Sequence, residues 1–333
     1  MNDIITLDFG SGGKKTSQLI EEIILPAFNN DILNSLMDGA ILNGHKKIVF
    51  STDSFVISPY FFPGGDIGKL AVCGTINDIL MCGAIPKYLS LSFILEEGFK
   101  IEDLKVIVNS IKETAEVCNV KIVTGDTKVV EKGKGDGIYI NTSGIGFLEV
   151  ESYGKDKIED GDVVIVTGPV GDHGIAVMSA RNNFFVDSSI KSDCMPLINL
   201  ANIIFKYGDK VKIMRDPTRG GLATTLNEFV ERTQLSIELF EDKIPIRREV
   251  LAACEVLGID PLYSANEGKI VLIAAKSIAE DLLSDIKSLP EGEQAAIIGN
   301  VTSSYQGVVV LKTGIGGSRI LNKLTGAQLP RIC

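Results

Sequence analysis

Segments of β-branched and apolar residues alternate with segments of helical periodicity along this chain. They do so in two rounds, separated by the polar run Tyr153-Gly154-Lys155-Asp156-Lys157-Ile158-Glu159-Asp160-Gly161-Asp162. In the first round the patterning predicts strands at about 47–52, 86–95, 121–124 and 137–147. Helices are expected at about 14–25, 67–82 and 102–118, the last with Leu104, Ile107, Val108, Ile111 and Ala115 at helical spacing. In the second round strands are expected near 163–167, 235–240, 268–275, 295–301 and 307–311, and helices at about 172–182, 196–206, 219–232, 247–257 and 277–287. Asp172 and Ser277 read as helix start signals. The pattern excludes an all-helical bundle and an all-β sandwich and predicts mixed α/β structure in both halves.

A chain of 333 residues is long enough for two cores. The expected divisions are 1–40, a glycine loop and helix; 41–152, the first domain; 153–313, the second; and 314–333, a mobile tail. Gly314, Gly316, Gly317, Gly326 and Pro330 make this last stretch read as a hinge and arm. The arm carries Cys333 on the last residue, and from Gly326 it spans at most ~25 Å when extended. A thiol so placed is expected to travel, as a carrier does.

Composition narrows the classes. Hydrophobic residues make up 45% and charged residues 23%, as in folded globular chains. No basic leader or long apolar span is evident, so a cytoplasmic location and no membrane partner are expected. Six scattered cysteines without a C-x-x-C pair, and only two histidines, argue against zinc or an iron–sulfur cluster. A formal net charge of −10 with no basic stripe argues against nucleic acid.

Four blocks place an acidic residue beside small or hydroxyl residues: Ser51-Thr52-Asp53-Ser54, Thr75-Ile76-Asn77-Asp78, Thr124-Gly125-Asp126-Thr127-Lys128 and Arg215-Asp216-Pro217-Thr218-Arg219-Gly220-Gly221. Carboxylates converging from separate elements suit Mg²⁺, which takes one or two of them with phosphate oxygens and water. Asp53, Asp78, Asp126 and Asp216 are therefore the expected metal ligands. Asp78 stands out, because it lies in an otherwise apolar helix where an unpaired carboxylate is costly. Any one of the others, taken alone, reads more readily as a helix cap or turn residue. Two glycine-rich loops, Gly10-Ser11-Gly12-Gly13-Lys14 and Pro63-Gly64-Gly65-Asp66-Ile67-Gly68-Lys69, lead into predicted helices and offer backbone N–H groups to phosphates. Neither has P-loop spacing. Expected nucleotide contacts are Gly10, Ser11, Gly12 and Gly13 in the first loop and Asp66, Ile67 and Lys69 in the second, joined by Asn77, Thr127 and Arg219. Glu267, in Asn266-Glu267-Gly268-Lys269, is a candidate general base. His173, in Gly171-Asp172-His173-Gly174, is a candidate proton donor or a structural residue.

Taken together, GSGG (10–13), STDSFVISPYFFPGGDIGKLAVCGTIND (51–78), SFILEEG (92–98), VTGDTKVV (123–130), GDHG (171–174), DPTRGGLATTLNE (216–228), PLYSANEGK (261–269) and the ending PRIC (330–333) resemble one family over nearly the whole chain. It is the HypE family of hydrogenase-maturation carbamoyl dehydratases, within the PurM-like ATP-binding superfamily. The resemblance implies a two-domain PurM-like α/β (α+β) architecture, a homodimer whose N-terminal strands build a shared barrel, and a flexible tail. It also implies ATP and Mg²⁺ as cofactors. A HypF carbamoyltransferase would load Cys333, ATP would drive dehydration of the thiocarboxamide to a thiocyanate, and the nitrile would pass to an iron-bearing HypC–HypD scaffold. By the same resemblance Glu267 is the catalytic base and Lys128 assists it. The chain departs from the family at Asp8-Phe9, where a histidine often precedes the glycines. Two other readings fit the four aspartates: a small-molecule synthetase or kinase of the same superfamily, and a non-catalytic carrier gated by nucleotide.

Overall fold

The computed structural model describes residues 4–11, 13–36, 39–151, 153–182, 189–324, 326 and 332–333. Gly12 and Pro330, singled out above, lie outside these residues, as does Arg331 of the PRIC ending.

In the first half, β1 (Ile48–Phe55), β4 (Ala84–Glu96), β5 (Lys121–Val130) and β6 (Ile138–Leu148) form a sheet in the order β1-β6-β4-β5. A small hairpin, β2 (Phe61–Phe62) with β3 (Gly65–Asp66), precedes the helix that backs the sheet. The β4–β5 pair is parallel, which requires a crossover, and α4 (Ile101–Val117) supplies it. Before β1 runs the helical stretch α1 (Lys14–Leu19), a wider turn at Ile20–Ile24, and α2 (Leu25–Phe28).

Helix α3 (Ile67–Met81) is almost wholly buried on one face of this sheet. Its close approach needs glycine on β6: a Cβ on Gly144 or Gly146 would lie 2.6 or 2.2 Å from Ile79. Side chains on the opposite sheet face, Ile48, Phe50 and Ile94, remain exposed.

The second half adds α5 (Asp172–Asn182), α6 (Ile198–Phe205), α7 (Gly221–Val230), α8 (Arg248–Leu257) and α9 (Ala279–Lys287). They accompany a seven-stranded sheet in the order β13-β12-β9-β11-β7-β10-β8. Its strands are β7 (Val163–Val166), β8 (Val211–Arg215), β9 (Ser236–Phe240), β10 (Val271–Ala274), β11 (Ala296–Thr302), β12 (Val309–Lys312) and β13 (Ser318–Leu321).

Several expectations change. The β8 strand is short and ends at Asp216-Pro217, so its five residues gave no clear periodic signal. Glycines 314–317 form the turn of the β12–β13 hairpin rather than a hinge, so the arm begins after Leu321. Ser277 does not cap α9; it lies in a tight turn before the helix, whose flanking residue is Ile278. Strands β1 and β5 run three and six residues past their expected ends at 52 and 124, carrying Asp53 and Asp126 within strands instead of at strand ends. The polar run Asp126-Thr127-Lys128 obscured this, because that edge of the sheet tolerates polar side chains.

Candidate active site

The chain end is docked. Ile332 is 5% exposed and belongs to the core, so the tail carries an apolar anchor stronger than its sequence indicated. The Val56 N–H donates to a terminal oxygen of Cys333 at 3.2 Å, and His173 Nε2 lies 2.6 Å from the Ile332 carbonyl oxygen. Arg219 Nη2 donates to Cys333 Sγ at 3.1 Å.

Arg219 is aimed by a backbone that only glycine permits. Gly220 and Gly221 have φ of 78° and 58°, and a Cβ on Gly221 would sit 2.5 Å from the Ser264 carbonyl oxygen. This lets the 216–221 segment press against 262–266. Asn266, fully buried, ties the segments together: its Oδ1 accepts from Gly171 N at 2.7 Å and its Nδ2 donates to Pro217 O at 2.9 Å.

The next residue, Glu267, is 2% exposed. Burial pushes its carboxyl well above the ordinary range, with Cys194, Cys333, Asp216 and Asp193 adding to the rise. Its backbone N–H donates to Asp193 Oδ1 at 3.0 Å, and Asp193 forms a buried ion pair with Lys269 at 3.2 Å. Gly268 permits this packing, since a Cβ there would fall 1.8 Å from Asp193 O.

Three of the four predicted aspartates come together. Burial, and then Asp78, push Asp216 up to about 7, with Asp53 contributing. Asp78 is likewise raised by burial and by Asp53, although the Ser51 hydroxyl donates to it at 2.9 Å. Asp53 is raised by burial, opposed by its own Ser54 N–H and by Arg219. Asp78 and Asp216 line a cleft of about 460 Å³ between the two halves. Such mutual repulsion is relieved by a divalent cation, and the hard oxygen donors fit Mg²⁺. Among the described residues no three acidic, cysteine or histidine side chains form a ready-made metal cage.

Asp126 does not join them within this chain. It lies on β5, at the opposite end of the sheet from β1, where Lys128 Nζ donates to it at 2.6 Å. This pair is exposed, and the lysine holds the carboxyl below its usual range. Thr127 donates its N–H to Asp126 and lines an apolar cavity of about 230 Å³ beneath the α1–α2 stretch.

The two glycine loops behave differently from expectation. Gly10 packs against β5, where a Cβ would meet Val129 N at 2.6 Å, and Phe9 is buried beside it. Ser11 bonds back to Asp8 O, and Gly13 is open. In the second loop Asp66 caps α3, accepting from Gly68 N and Lys69 N, while Ile67 donates its N–H to Tyr60 O and buries its side chain. Those three backbone donors are already used, and the cation of this loop, Lys69, donates from Nζ to Gly64 O at 3.3 Å. Asn77 is also engaged: it donates to Met195 O and accepts from Leu197 N, pinning α3 to the second half. Sequence reasoning gave no role to Ser192 or Asp193, because neither sits in a recognisable block.

Comparison with known proteins identifies the family. Residues 36–148 match the N-terminal domain and residues 159–312 the C-terminal domain of AIR synthase related protein. The chain is 47% identical over 338 residues to carbamoyl dehydratase HypE of Rhizobium leguminosarum bv. viciae, covering 100% of this chain and 96% of that protein. A crystal structure of hydrogenase maturation protein HypE in complex with ATP superposes with a TM-score of 0.94 at 43% identity, covering 98% of this chain and 99% of that one. The HypE chain of a HypE–HypF complex gives 0.80 at 48% identity, covering 92% and 99%. With its two-domain PurM-like fold and a terminal cysteine docked beside a buried glutamate, this chain belongs to the HypE family of hydrogenase-maturation carbamoyl dehydratases.

Proposed function

We propose that the chain dehydrates a carbamoyl group carried on its own Cys333 thiol, using ATP, and so supplies the cyanide ligands of [NiFe]-hydrogenase iron. The observation that carries this reading is the seat of Cys333: its sulfur contacts Arg219 and lies close enough to the buried Glu267 to raise its carboxyl further.

An amide oxygen is a poor leaving group. Attack of the carbamoyl oxygen on the γ-phosphorus of ATP expels ADP and converts that oxygen into a phosphate ester. Breaking the C–O bond then releases phosphate, and the nitrogen gives up both of its protons to become the nitrile. Little is required of the protein beyond positioning, charge neutralisation and a base. Glu267, buried in the site where the Cys333 sulfur docks, is the carboxyl placed to take a proton from the carbamoyl nitrogen. Arg219 holds the sulfur end, and Lys69 is available to phosphate. Mg²⁺ would be held by Asp53, Asp78 and Asp216 and would supply charge neutralisation to the phosphates.

The proposed partners are HypF as carbamoyl donor, supported by the solved HypE–HypF complex, and a HypC–HypD scaffold as acceptor. A homodimer is supported by the sheet. Its edge strands are β1 and β5, and one face exposes Ile48, Phe50 and Ile94. Closing β1 of one copy on β5 of a second would bring Asp126 and Lys128 of the second toward Asp53 of the first, which gives these two residues a route to the site. Among the described residues no helix is long and apolar enough to cross a membrane.

The test is the intact mass of the C-terminal peptide after incubation with the carbamoyl-transferring partner, carbamoyl phosphate and ATP. Carbamoylation of Cys333 followed by ATP-dependent loss of one water is the expected result. An unmodified Cys333 with an active partner would refute it. Cys333→Ala separates the reading from a small-molecule kinase, which would keep its turnover.

A further inference from the structure

His173 is completely buried at the start of α5, its ring edge-on to Phe62 at 5.5 Å. Its Nε2 lies 2.6 Å from the Ile332 carbonyl oxygen, and its Nδ1 lies 2.8 Å from Ser192 Oγ. A carbonyl only accepts, so Nε2 carries the proton. In the neutral ring Nδ1 is then bare, and the Ser192 hydroxyl must donate to it. Burial pushes the imidazole below its ordinary pKa, in keeping with the neutral form.

Ser192 is itself fixed. Its backbone N–H donates to Pro63 O at 2.8 Å, and its Oγ accepts from Cys194 N at 3.0 Å. A Cβ on Gly64 would lie 2.6 Å from Ser192 O, so the second glycine loop and this segment are in close contact. Pro63, Ser192, His173 and Ile332 thus form one hydrogen-bonded chain from that loop to the residue next to the thiol.

We propose that His173, oriented by Ser192, is a positioning residue that latches the C-terminal segment in its docked state by holding the Ile332 carbonyl. This rests on the reading of Cys333 as the travelling carrier and adds the device that decides where the carrier stops. When the tail leaves, Nε2–H loses its acceptor in a buried setting, which favours return of the tail. The bond is to the backbone, so it holds the segment whatever group the thiol carries.

The experiment measures iodoacetamide alkylation of Cys333 in the full-length protein, followed by mass analysis of the peptide released after Lys323, with buried Cys118 as an internal control for general opening. It needs neither nucleotide nor carbamoyl donor, so failure of the proposed chemistry leaves it readable. His173→Ala and Ser192→Ala are expected to raise the Cys333 rate roughly three- to tenfold, the range of one hydrogen bond, with Cys118 unchanged. His173→Gln, whose amide can both donate to Ile332 and accept from Ser192, should return most of the protection. If His173→Ala does not fold, Ser192→Ala decides alone. An unchanged Cys333 rate in the folded variants, a parallel rise at Cys118, or no rescue by glutamine would overturn the latch.

Discussion

Arg219 donates to the Cys333 sulfur at 3.1 Å from a segment that Gly220 and Gly221 hold in left-handed geometry. The contact joins the last residue of the chain to one 114 positions earlier. Hydrogen bonds to charged groups contribute about 1.5–3 kcal/mol, so Arg219→Ala should slow dehydration of carbamoylated Cys333 roughly ten- to a hundredfold. Single-turnover mass measurement of water loss checks this. Arg219→Lys should recover little, because an ammonium lacks the planar reach of the guanidinium. A turnover equal to the parent protein would show that the sulfur is held by other means.

The acidic cluster predicts a pH dependence. Asp216 is raised to about 7 in the fold from an ordinary value near 3.8. Between these values the native state binds the proton more tightly than the unfolded state, so stability falls as pH rises through that window. Asp216→Asn should therefore melt higher than the parent at pH 8, in metal-free and nucleotide-free buffer, with the difference shrinking toward pH 4. Thermal unfolding at the two pH values measures it. Adding Mg²⁺ with ATP should raise the parent's melting temperature at pH 8 and leave Asp216→Asn less affected. No difference between the proteins at pH 8 would mean that the carboxyl is not destabilised.

Much of this site was legible because its residues occur in contiguous blocks. Asp53, Asp78, Asp216 and Glu267 were identifiable as carboxylates beside small residues, and Asp78 stood out in an apolar helix. What sequence could not give was occupancy. Asp66, Ile67 and Asn77 belong to the same blocks, yet their polar groups are used to start α3 and to pin it to the second half. The separation of Asp126 from Asp53 follows from the strand order β1-β6-β4-β5, a long-range pairing that local pattern does not encode. Ile332 is a further case: a single apolar residue in a glycine-containing tail gives no periodicity, and its burial depends on a pocket made elsewhere.

Gly268 offers a test of how closely the base is packed. A Cβ there would overlap Asp193 O at 1.8 Å, so Gly268→Ala must displace the segment that accepts the Glu267 N–H and carries the ion pair to Lys269. Overpacking of this kind costs about 1–3 kcal/mol. The variant should melt several degrees lower and lose most of its dehydration rate even where it remains folded. Calorimetry paired with the single-turnover assay separates the two effects. A melting point and a rate both unchanged would show that the segment yields freely.

The open face of the first sheet makes the final prediction. Phe50 is 64% exposed on β1 and stands in register with Ile145 on β6, while Ile48, 54% exposed, stands opposite Phe147. An apolar strip on a sheet whose edges are unpaired is poorly suited to water and well suited to a second copy of the same sheet. Phe50→Asp places a charge in that strip, on a side chain outside the core that also lines the cleft of Asp78 and Asp216. It should convert a dimer to a monomer in light scattering while leaving the melting of the isolated chain little changed. If β5 of a second copy brings Asp126 to the site, the same variant should lose dehydration activity together with the dimer, and the two losses should follow the same dependence on protein concentration. An active monomer would place the whole reaction within one chain and remove Asp126 from it.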